Sequence, residues 1–146
     1  MDVIRKVETT DVDIIYDYEK LFFKDYWSKD QILIEITNNN AFNLVFEKDS
    51  RLVAYIFTRN SVDFVEILKI AVSKSFRKIG IAKKLIKEVE LFISNSNTSK
   101  IFLEVREGNE AAISLYKELG FKIDGIRKNY YKKYNENALL MSKELS

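Results

Sequence analysis

Residues 72–82 read Val72-Ser73-Lys74-Ser75-Phe76-Arg77-Lys78-Ile79-Gly80-Ile81-Ala82 and connect an apolar strand to an amphipathic helix. Small residues at positions 80 and 82 let the backbone approach a ligand closely. The helix that follows presents free N–H groups and the positive end of its dipole, which together bind anions. Positive charge is added by Arg77, Lys78, Lys83 and Lys84. A plainer interpretation is also open, with Gly80 as a turn residue and the lysines on a solvated helix face.

The spacing of apolar residues changes across this segment. Before it, Phe42–Glu47, Leu52–Arg59 and Phe64–Val72 are apolar runs separated by turn residues, which predicts an antiparallel meander. After it, the spacing predicts a helix that ends within Ser94–Ser99. The apolar face of this helix comprises Ile81, Leu85, Ile86, Val89, Phe92 and Ile93.

The N-terminal part predicts one strand and two helices. Val3–Glu8 alternates apolar and polar residues, as a strand does. Thr10 or Asp11 is expected to cap the first helix. Its apolar residues are Ile14, Ile15, Tyr18, Leu21 and Phe22. A second short helix is expected after Ser28, with Ile32 and Ile36 on one side.

The C-terminal part adds a strand at Lys100–Arg106 and a helix at Asn109–Leu119, which Gly120 ends. Phe121–Ile126 and Ala138–Ser142 are the closing strands. The predicted order is β-α-α-β-β-β-α-β-α-β-β. We therefore expect one α/β (α+β) domain over residues 1–146, with a mixed central sheet flanked by about four helices.

Composition limits the function classes. The 146 residues carry 24 basic and 22 acidic side chains, a formal net charge of +2, which argues against a partner held mainly through phosphate charge, such as duplex DNA. The chain has no Cys and no His, so thiolate nucleophiles, disulfides and cysteine–zinc sites are excluded and no metal is expected. Proton transfer must therefore use Glu, Asp, Tyr, Lys or water.

No apolar run approaches the roughly 18 residues of a transmembrane helix. The sequence begins Met1-Asp2-Val3-Ile4-Arg5-Lys6, without the apolar core of a secretion signal. We expect a cytoplasmic protein with no membrane partner.

Two residues after the loop are candidates for proton transfer. In Lys100–Arg106, the period of two places Glu104 on one face with Phe102 and Arg106. Asn109 can cap the next helix, and Tyr116, two turns later, shares its face. On local evidence alone, Glu104 can equally lie on a solvated face, and Tyr116 can be a core aromatic.

The loop resembles motif A of the GNAT acetyltransferase superfamily, a valine followed at fixed spacing by Arg/Gln-x-x-Gly-x-Gly/Ala. The residues in register are Val72, Arg77, Gly80 and Ala82. Motif B of the same superfamily is similar to Leu103-Glu104-Val105-Arg106-x-x-Asn109-x-x-Ala112-x-x-Leu115-Tyr116-x-x-Leu119-Gly120-Phe121.

More narrowly, the chain is similar to the bacterial ribosomal-protein-alanine N-acetyltransferases. The match extends to Arg127-x-x-Tyr130-Tyr131, to Ala138–Met141 and to Tyr26-Trp27-Ser28, where Tyr26 stands in place of the usual Pro. It is dense from about Ile67 to Met141 and thin before that.

The resemblance implies acetyl-CoA as cosubstrate. In the family, the loop N–H groups hold the pyrophosphate, and the preceding strand, Ile70-Ala71-Val72, hydrogen-bonds the pantetheine arm. The implied cofactor contacts in the loop are Arg77, Lys78, Ile79, Gly80, Ile81 and Ala82. Asn109 and Tyr116 are further implied contacts.

It also implies catalytic roles. Glu104 is the general base, directly or through a water, and Tyr116 protonates the departing CoA sulfur. Backbone N–H groups near Ala71–Val72 are expected to stabilise the oxyanion. The implied acceptor is a protein N-terminal α-amine, that of an N-terminal alanine of a small-subunit ribosomal protein. The expected acceptor-binding residues are Arg127, Tyr130 and Tyr131.

Other functions stay open. The basic, aromatic run Arg127-Lys128-Asn129-Tyr130-Tyr131-Lys132-Lys133-Tyr134 is also typical of single-stranded RNA contacts, or of a solvated loop between the last two strands. A small-molecule amine or a lysine side chain is an alternative acceptor. A CoA-binding module without activity is the remaining alternative.

Overall fold

A computed structural model describes residues 1–94 and 98–145. Within these ranges, the seven strands are β1 (Asp2–Lys6), β2 (Leu44–Lys48), β3 (Arg51–Asn60), β4 (Val65–Val72), β5 (Lys100–Arg106), β6 (Lys122–Tyr131) and β7 (Glu136–Glu144). The four α-helices in the same ranges are α1 (Val12–Phe22), α2 (Lys29–Thr37), α3 (Ile81–Ser94) and α4 (Glu110–Glu118). Their order along the chain is the predicted one.

The strands form one mixed sheet in the order β1-β2-β3-β4-β5-β7-β6. The predicted meander of β2, β3 and β4 is confirmed, and both of its pairings are antiparallel. The pairing of β4 with β5 is parallel. Since β7 lies between β5 and β6, the last two strands of the chain close the sheet in reversed order.

Helices cover both faces of the sheet. On one face, α1 and α2 pack on Tyr55 and Phe57 of β3; on the other, α3 packs on Ile56 of the same strand. Residues 52–58 of β3 are consequently all buried. A central strand enclosed on both faces has no need of polar alternation.

A β-bulge separates β4 from its parallel neighbour. Phe57 pairs with Lys69 and Thr58 pairs with Ile67, so Leu68 is an extra residue with no partner on β3. The pairing of β4 with β5 ends at the same level, at Ile67 and Leu103. Since a bulge bends its strand and increases the local twist, the bulge accounts for the divergence of β4 from β5.

The N-terminal predictions need correction. β1 ends at Lys6 rather than Glu8, because the backbone N–H of Glu8 donates to the Asp11 carboxylate, 2.7 Å away, and begins a short 3-10 turn. The expected apolar face of α1 is wrong in part, since Ile14 is 48% exposed and Leu21 is 73% exposed.

At the second helix, Ser28 caps α2 as predicted and accepts a hydrogen bond from the backbone N–H of Gln31. The predicted end of α3 within Ser94–Ser99 falls partly on residues 95–97, which lie outside the described residues; the described helix ends at Ser94.

The C-terminal boundaries also differ from the prediction. β6 continues to Tyr131, five residues beyond the predicted end at Ile126, so the part of the basic run up to Tyr131 is strand rather than loop. The connection to β7 is a short turn over Lys132–Tyr134 and Asn135. The stop at Gly120 is confirmed, with φ of 97°.

Candidate active site

A cavity of about 600 Å³ opens where β4 and β5 diverge. Its walls come from residues 66–70 of β4, residues 103–106 of β5 and one side of α4. The connection between α1 and α2 and the end of β6 complete it. Elements distant in the chain therefore meet around the gap in the sheet.

The edge of β4 in the gap carries free peptide groups. The backbone N–H of Ser73 donates to the carbonyl of Val53, 2.7 Å away, so these two residues form a hydrogen-bonded antiparallel pair. Such pairs alternate along a ladder. The peptide group of Ala71 therefore faces β3, whereas those of Ile70 and Val72 face the gap. Of the expected oxyanion donors near Ala71–Val72, the Val72 N–H faces the gap and the Ala71 N–H is directed away from it.

The loop after β4 has the geometry of an anion site. Lys78 and Gly80 adopt positive φ, at 65° and 89°, which turns the chain into α3. Among the described residues, none accepts a hydrogen bond from the backbone N–H groups of Gly80, Ile81 and Ala82. A Cβ built on Gly80 would have no atom within 4 Å. The loop therefore combines open space beside Gly80 with backbone N–H groups that have no acceptor among the described residues, at the start of a helix.

The basic side chains around this loop have several different partners. Arg77 turns back, so that its Nε donates to the Val72 carbonyl, 2.9 Å away, and its guanidinium lies 4.9 Å from the centre of the Phe22 ring. Lys83 forms an ion pair with Glu118 of α4 at 2.7 Å. Arg77 and Lys83 therefore place positive charge near the loop and also hold neighbouring elements in contact.

Glu104 lies in the cavity rather than on an open solvated face. Its side chain is 12% exposed, and its Oε2 is buried without a hydrogen-bond partner. The guanidinium of Arg127 lies 3.4 Å from this oxygen. Burial raises the pKa of Glu104, and the charge of Arg127 opposes that rise. A carboxylate in such surroundings is a better proton acceptor than one in water.

Tyr116 belongs both to the core and to the cavity lining, so the two interpretations of the sequence are compatible. The residue is 5% exposed and packs on Phe121, with ring centres 5.6 Å apart. Burial raises the pKa of Tyr116, so the phenol stays protonated at neutral pH. Among the described residues, no group hydrogen-bonds its hydroxyl, which leaves it available to a ligand.

Asn109 also lines the cavity, at the start of α4. Its side-chain oxygen accepts a hydrogen bond from the N–H of Ala112 at 3.2 Å, so it caps the helix as predicted.

The three predicted acceptor residues lie together on β6. Tyr130 and Tyr131 both line the cavity, with ring centres 5.1 Å apart. Arg127, which pairs with Glu104, has its guanidinium 4.8 Å from the centre of the Tyr130 ring. Burial first, and then the charge of Glu104, raise the pKa of Tyr131.

Next to the cavity, Tyr134 links the turn after β6 to the connection between α1 and α2. The hydroxyl of Tyr134 accepts a hydrogen bond from the backbone N–H of Lys24 at 2.9 Å. The guanidinium of Arg106 lies 4.0 Å from the centre of the Tyr134 ring. The turn after β6 is thus held against the connection between α1 and α2.

Sequence reasoning missed several cavity residues, among them Glu66, Lys69, Phe23 and Asp25. Burial, and then the charge of Glu104, raise the pKa of Glu66. Glu66 shares a face with Glu104 because it pairs with Phe102 across the parallel ladder. That register is a long-range feature with no local signal in the sequence.

The fold and the cavity are those of an acetyltransferase. The crystal structure of the ribosomal-protein-S18-alanine N-acetyltransferase from Escherichia coli has a TM-score of 0.91 and 28% identity, over 100% of this chain and 95% of that one. The Acetyltransferase (GNAT) family model matches residues 12–121, and the chain belongs to this family.

Two sequence relatives cover nearly the whole chain. A Bacillus subtilis protein described as a candidate [ribosomal protein bS18]-alanine N-acetyltransferase is 33% identical over 94% of this chain and 92% of its own length. The Escherichia coli K12 [ribosomal protein bS18]-alanine N-acetyltransferase is 28% identical over 100% of this chain and 99% of its own length.

None of the helices in residues 1–94 and 98–145 is long and apolar enough to cross a membrane.

Proposed function

We propose that this chain transfers the acetyl group of acetyl-CoA to the α-amine of a protein N-terminus, with all of residues 1–146 acting as one catalytic domain. The observation that carries the proposal is the gap between β4 and β5. Among the described residues, it brings together in one cavity a Glu104 oxygen without a hydrogen-bond partner, a Tyr116 phenol to which none of them hydrogen-bonds, and peptide groups of β4 without a strand partner. Because the cavity draws on α1–α2, β4, α4 and β6, both halves of the chain are needed to build it.

The free backbone groups fit acetyl-CoA as a substrate. The N–H groups of Gly80, Ile81 and Ala82 face open space and suit a pyrophosphate, with Arg77, Lys78 and Ile79 shaping the turn. The peptide group of Ile70 and the backbone N–H of Val72, whose carbonyl accepts from Arg77, suit the two amides of a pantetheine arm lying in the gap. Asn109, at the N-terminus of α4, is the remaining residue proposed to contact acetyl-CoA.

Glu104 serves as the general base. The amine nitrogen forms a bond to the acetyl carbon, and the proton released by that nitrogen passes to the Glu104 carboxylate, directly or through one water. Its raised pKa makes proton uptake easier, while the charge of Arg127 opposes that rise and favours the ionised carboxylate. A positioned base of this kind is worth about 10²–10⁴ in rate.

Tyr116 serves as the general acid. When the carbon–sulfur bond of the thioester breaks, the electron pair stays on sulfur and the phenol donates its proton there. A free thiol has a pKa near ~8.5 and an unperturbed phenol near ~10, so the thiolate is protonated readily only when the donor is held beside it. The backbone N–H groups of Ile70 and Val72, which face the gap, are the candidate donors to the oxyanion.

A chain terminus suits the acceptor side better than a lysine within a folded region. The contact between Tyr134 and Lys24 joins two segments that line the cavity and narrows the space between them, which favours an acceptor that enters end-on, past Arg127, Tyr130 and Tyr131. An α-amine also has a pKa near ~7.7–8.0 against ~10.4 for lysine, so more of it is neutral at physiological pH. The two named relatives are described as acting on alanine of ribosomal protein bS18, and we assign N-terminal alanine of a small-subunit ribosomal protein as the acceptor, which places the enzyme in the cytoplasm.

The test is a matched pair of peptides incubated with acetyl-CoA. One begins with a free alanine and contains internal lysines; the other is identical but carries a blocked N-terminus. We expect mass spectrometry to find acetyl on the first peptide alone, at its N-terminus. Acetyl on lysine in either peptide, or turnover restricted to small-molecule amines, would reassign the acceptor and leave the acetyl-CoA side unaffected.

A further inference from the structure

The connection between α1 and α2, residues 23–27, forms one side of the cavity through Phe23, Asp25 and Trp27. These five residues contain no helix or strand. A segment of this kind has no backbone ladder to hold it, so its position depends on side-chain contacts. The contacts that hold it therefore determine the shape of the acceptor side.

Besides the hydrogen bond between Lys24 and Tyr134, those contacts converge on Glu19, a residue of α1 with 0% exposure. Its carboxylate accepts hydrogen bonds from the backbone N–H of Trp27 at 3.0 Å, from the hydroxyl of Tyr55 at 2.6 Å and from the ammonium of Lys69 at 2.9 Å. The fully buried carboxylate thus ties the 23–27 segment to two strands of the sheet.

Lys69, which is bound to Glu19, also contacts two aromatic rings of the segment. Its side chain is 11% exposed, and its ammonium lies 4.2 Å from the centre of the Phe23 ring and 4.7 Å from that of Trp27. Such contacts strengthen when the cation is desolvated. Lys69 follows the bulge residue Leu68 on β4, so the same irregularity that opens the cavity also sets the position of this ammonium.

We infer that Glu19 is a positioning residue for the acceptor: it fixes the 23–27 segment through the Trp27 backbone and the Lys69 ammonium, and so fixes the path by which the acceptor amine reaches Glu104. The inference rests on the function proposed above. Removing either Glu19 or Lys69 leaves an uncompensated charge in the interior, which destabilises the fold there. The pair therefore keeps the segment in one arrangement.

Trp27 provides a readout that does not depend on catalysis, because it is the only tryptophan of the chain. Glu19→Gln keeps the side-chain size and an acceptor for the Trp27 N–H, but it leaves the Lys69 ammonium without a carboxylate. We expect its tryptophan emission to move to longer wavelength and its acrylamide quenching constant to rise about twofold, with far-UV circular dichroism unchanged. The matched control is Asp17→Asn on the exposed face of α1, which should leave both signals at the wild-type values.

Kinetics then separate positioning from a general structural role. In Glu19→Gln, the KM for an alanine-terminated peptide should rise about tenfold or more. The KM for acetyl-CoA should stay within about twofold of wild type. The double variant Glu19→Gln with Lys69→Met removes the uncompensated charge but also the ammonium contacts with Phe23 and Trp27, so it should recover only part of the change in the acceptor KM and in the quenching constant.

The outcomes are distinct. Unchanged quenching and acceptor KM in Glu19→Gln would overturn the inference, as would a double variant no better than the single one. If Glu19→Gln does not fold, Lys69→Met alone tests the same pair and should shift both readouts in the same direction by a smaller amount. If wild type acetylates no peptide, the proposed function fails, while the Trp27 measurement still decides whether Glu19 holds the segment.

Discussion

Replacing Glu104 by Gln is the most direct test of the proposed base, and the structure predicts that chemistry will suffer far more than folding. The ion-pair partner, Arg127, has a side chain that is 51% exposed, so water solvates its charge when the carboxylate is gone. The cost in unfolding free energy is then that of a surface pair, under about 1 kcal/mol. The loss of a positioned base should lower kcat by about 10²–10⁴, or about 3–5 kcal/mol of activation free energy.

The pH dependence of the same variant identifies the acceptor amine. If the base acts on an α-amine, roughly a third of the amine is already neutral at pH ~7.5, and raising the pH to ~9.5 can restore only about threefold of the lost rate. If the acceptor were a lysine, the neutral fraction would grow about a hundredfold over the same range. A small recovery therefore supports the α-amine, and a large one supports the lysine alternative.

The assay is release of CoA, followed with a thiol-reactive dye. The chain contains no Cys, so the protein itself gives no signal. Glu144→Gln, an exposed glutamate near the end of β7, is the matched control and should keep full activity. If folded Glu104→Gln binds acetyl-CoA and stays within about threefold of wild type at pH ~7.5, a general-base role is refuted.

Four further variants test the rest of the site. Tyr116→Phe should lower kcat by about 10²–10⁴ without recovery at high pH, and CoA-release rates near wild type would remove Tyr116 as the acid. Gly80→Asp should abolish CoA binding in calorimetry. The protein should stay folded, because φ of 89° adds backbone strain of only about 1–2 kcal/mol and no atom lies within 4 Å of the new Cβ. Retained CoA affinity would show that the loop does not bind CoA. Arg127→Gln should move the acidic limb of kcat/KM to higher pH, because the Arg127 charge lowers the pKa of Glu104 and its removal raises it; an unmoved limb would mean that another group titrates. Arg127→Ala with Lys132→Ala should raise the acceptor KM, whereas salt-sensitive RNA binding in a filter assay that this double variant loses would favour the RNA alternative.

Local signals in the sequence were sufficient for the order of helices and strands, because each has its own periodicity or cap. Ser28 and Gly120 illustrate this, since a capping serine and a left-handed glycine act over a few residues. β6 was predicted too short because it is an edge strand with both faces largely exposed, so its second half, from Arg127, has no apolar alternation. The apolar face of α1 was misjudged because the buried position there belongs to Glu19, a charged residue whose partners lie on other strands.

The sequence predicted those parts of the candidate site whose backbone conformation depends on a few neighbouring residues. It did not predict the parts whose position depends on pairing between distant strands. The positive φ of Gly80 and the helix behind it follow from the loop sequence. The bulge at Leu68 does not, because it exists only as a mismatch in register between β3 and β4. That bulge decides which peptide groups face the gap and places Lys69 on the acceptor side, so the residues missed from sequence are those whose position depends on it.

The gap between β4 and β5 determines which kind of ligand can bind there. β4 is an interior strand, and an interior strand normally has its peptide groups paired on both edges, because an unpaired buried N–H or carbonyl is costly. Here Ile70 and Val72 have no neighbouring strand on the side facing β5, whose pairing with β4 ends at Ile67 and Leu103. A ligand that restores the missing pairing must be extended and must carry amide groups spaced along a thin chain. A nucleotide alone or a sugar lacks that form, whereas a pantetheine arm has it. The anion site that we propose at Gly80 lies just beyond the end of the strand that the arm would follow. The same broken ladder therefore accounts for both the cavity and its preference for a CoA thioester.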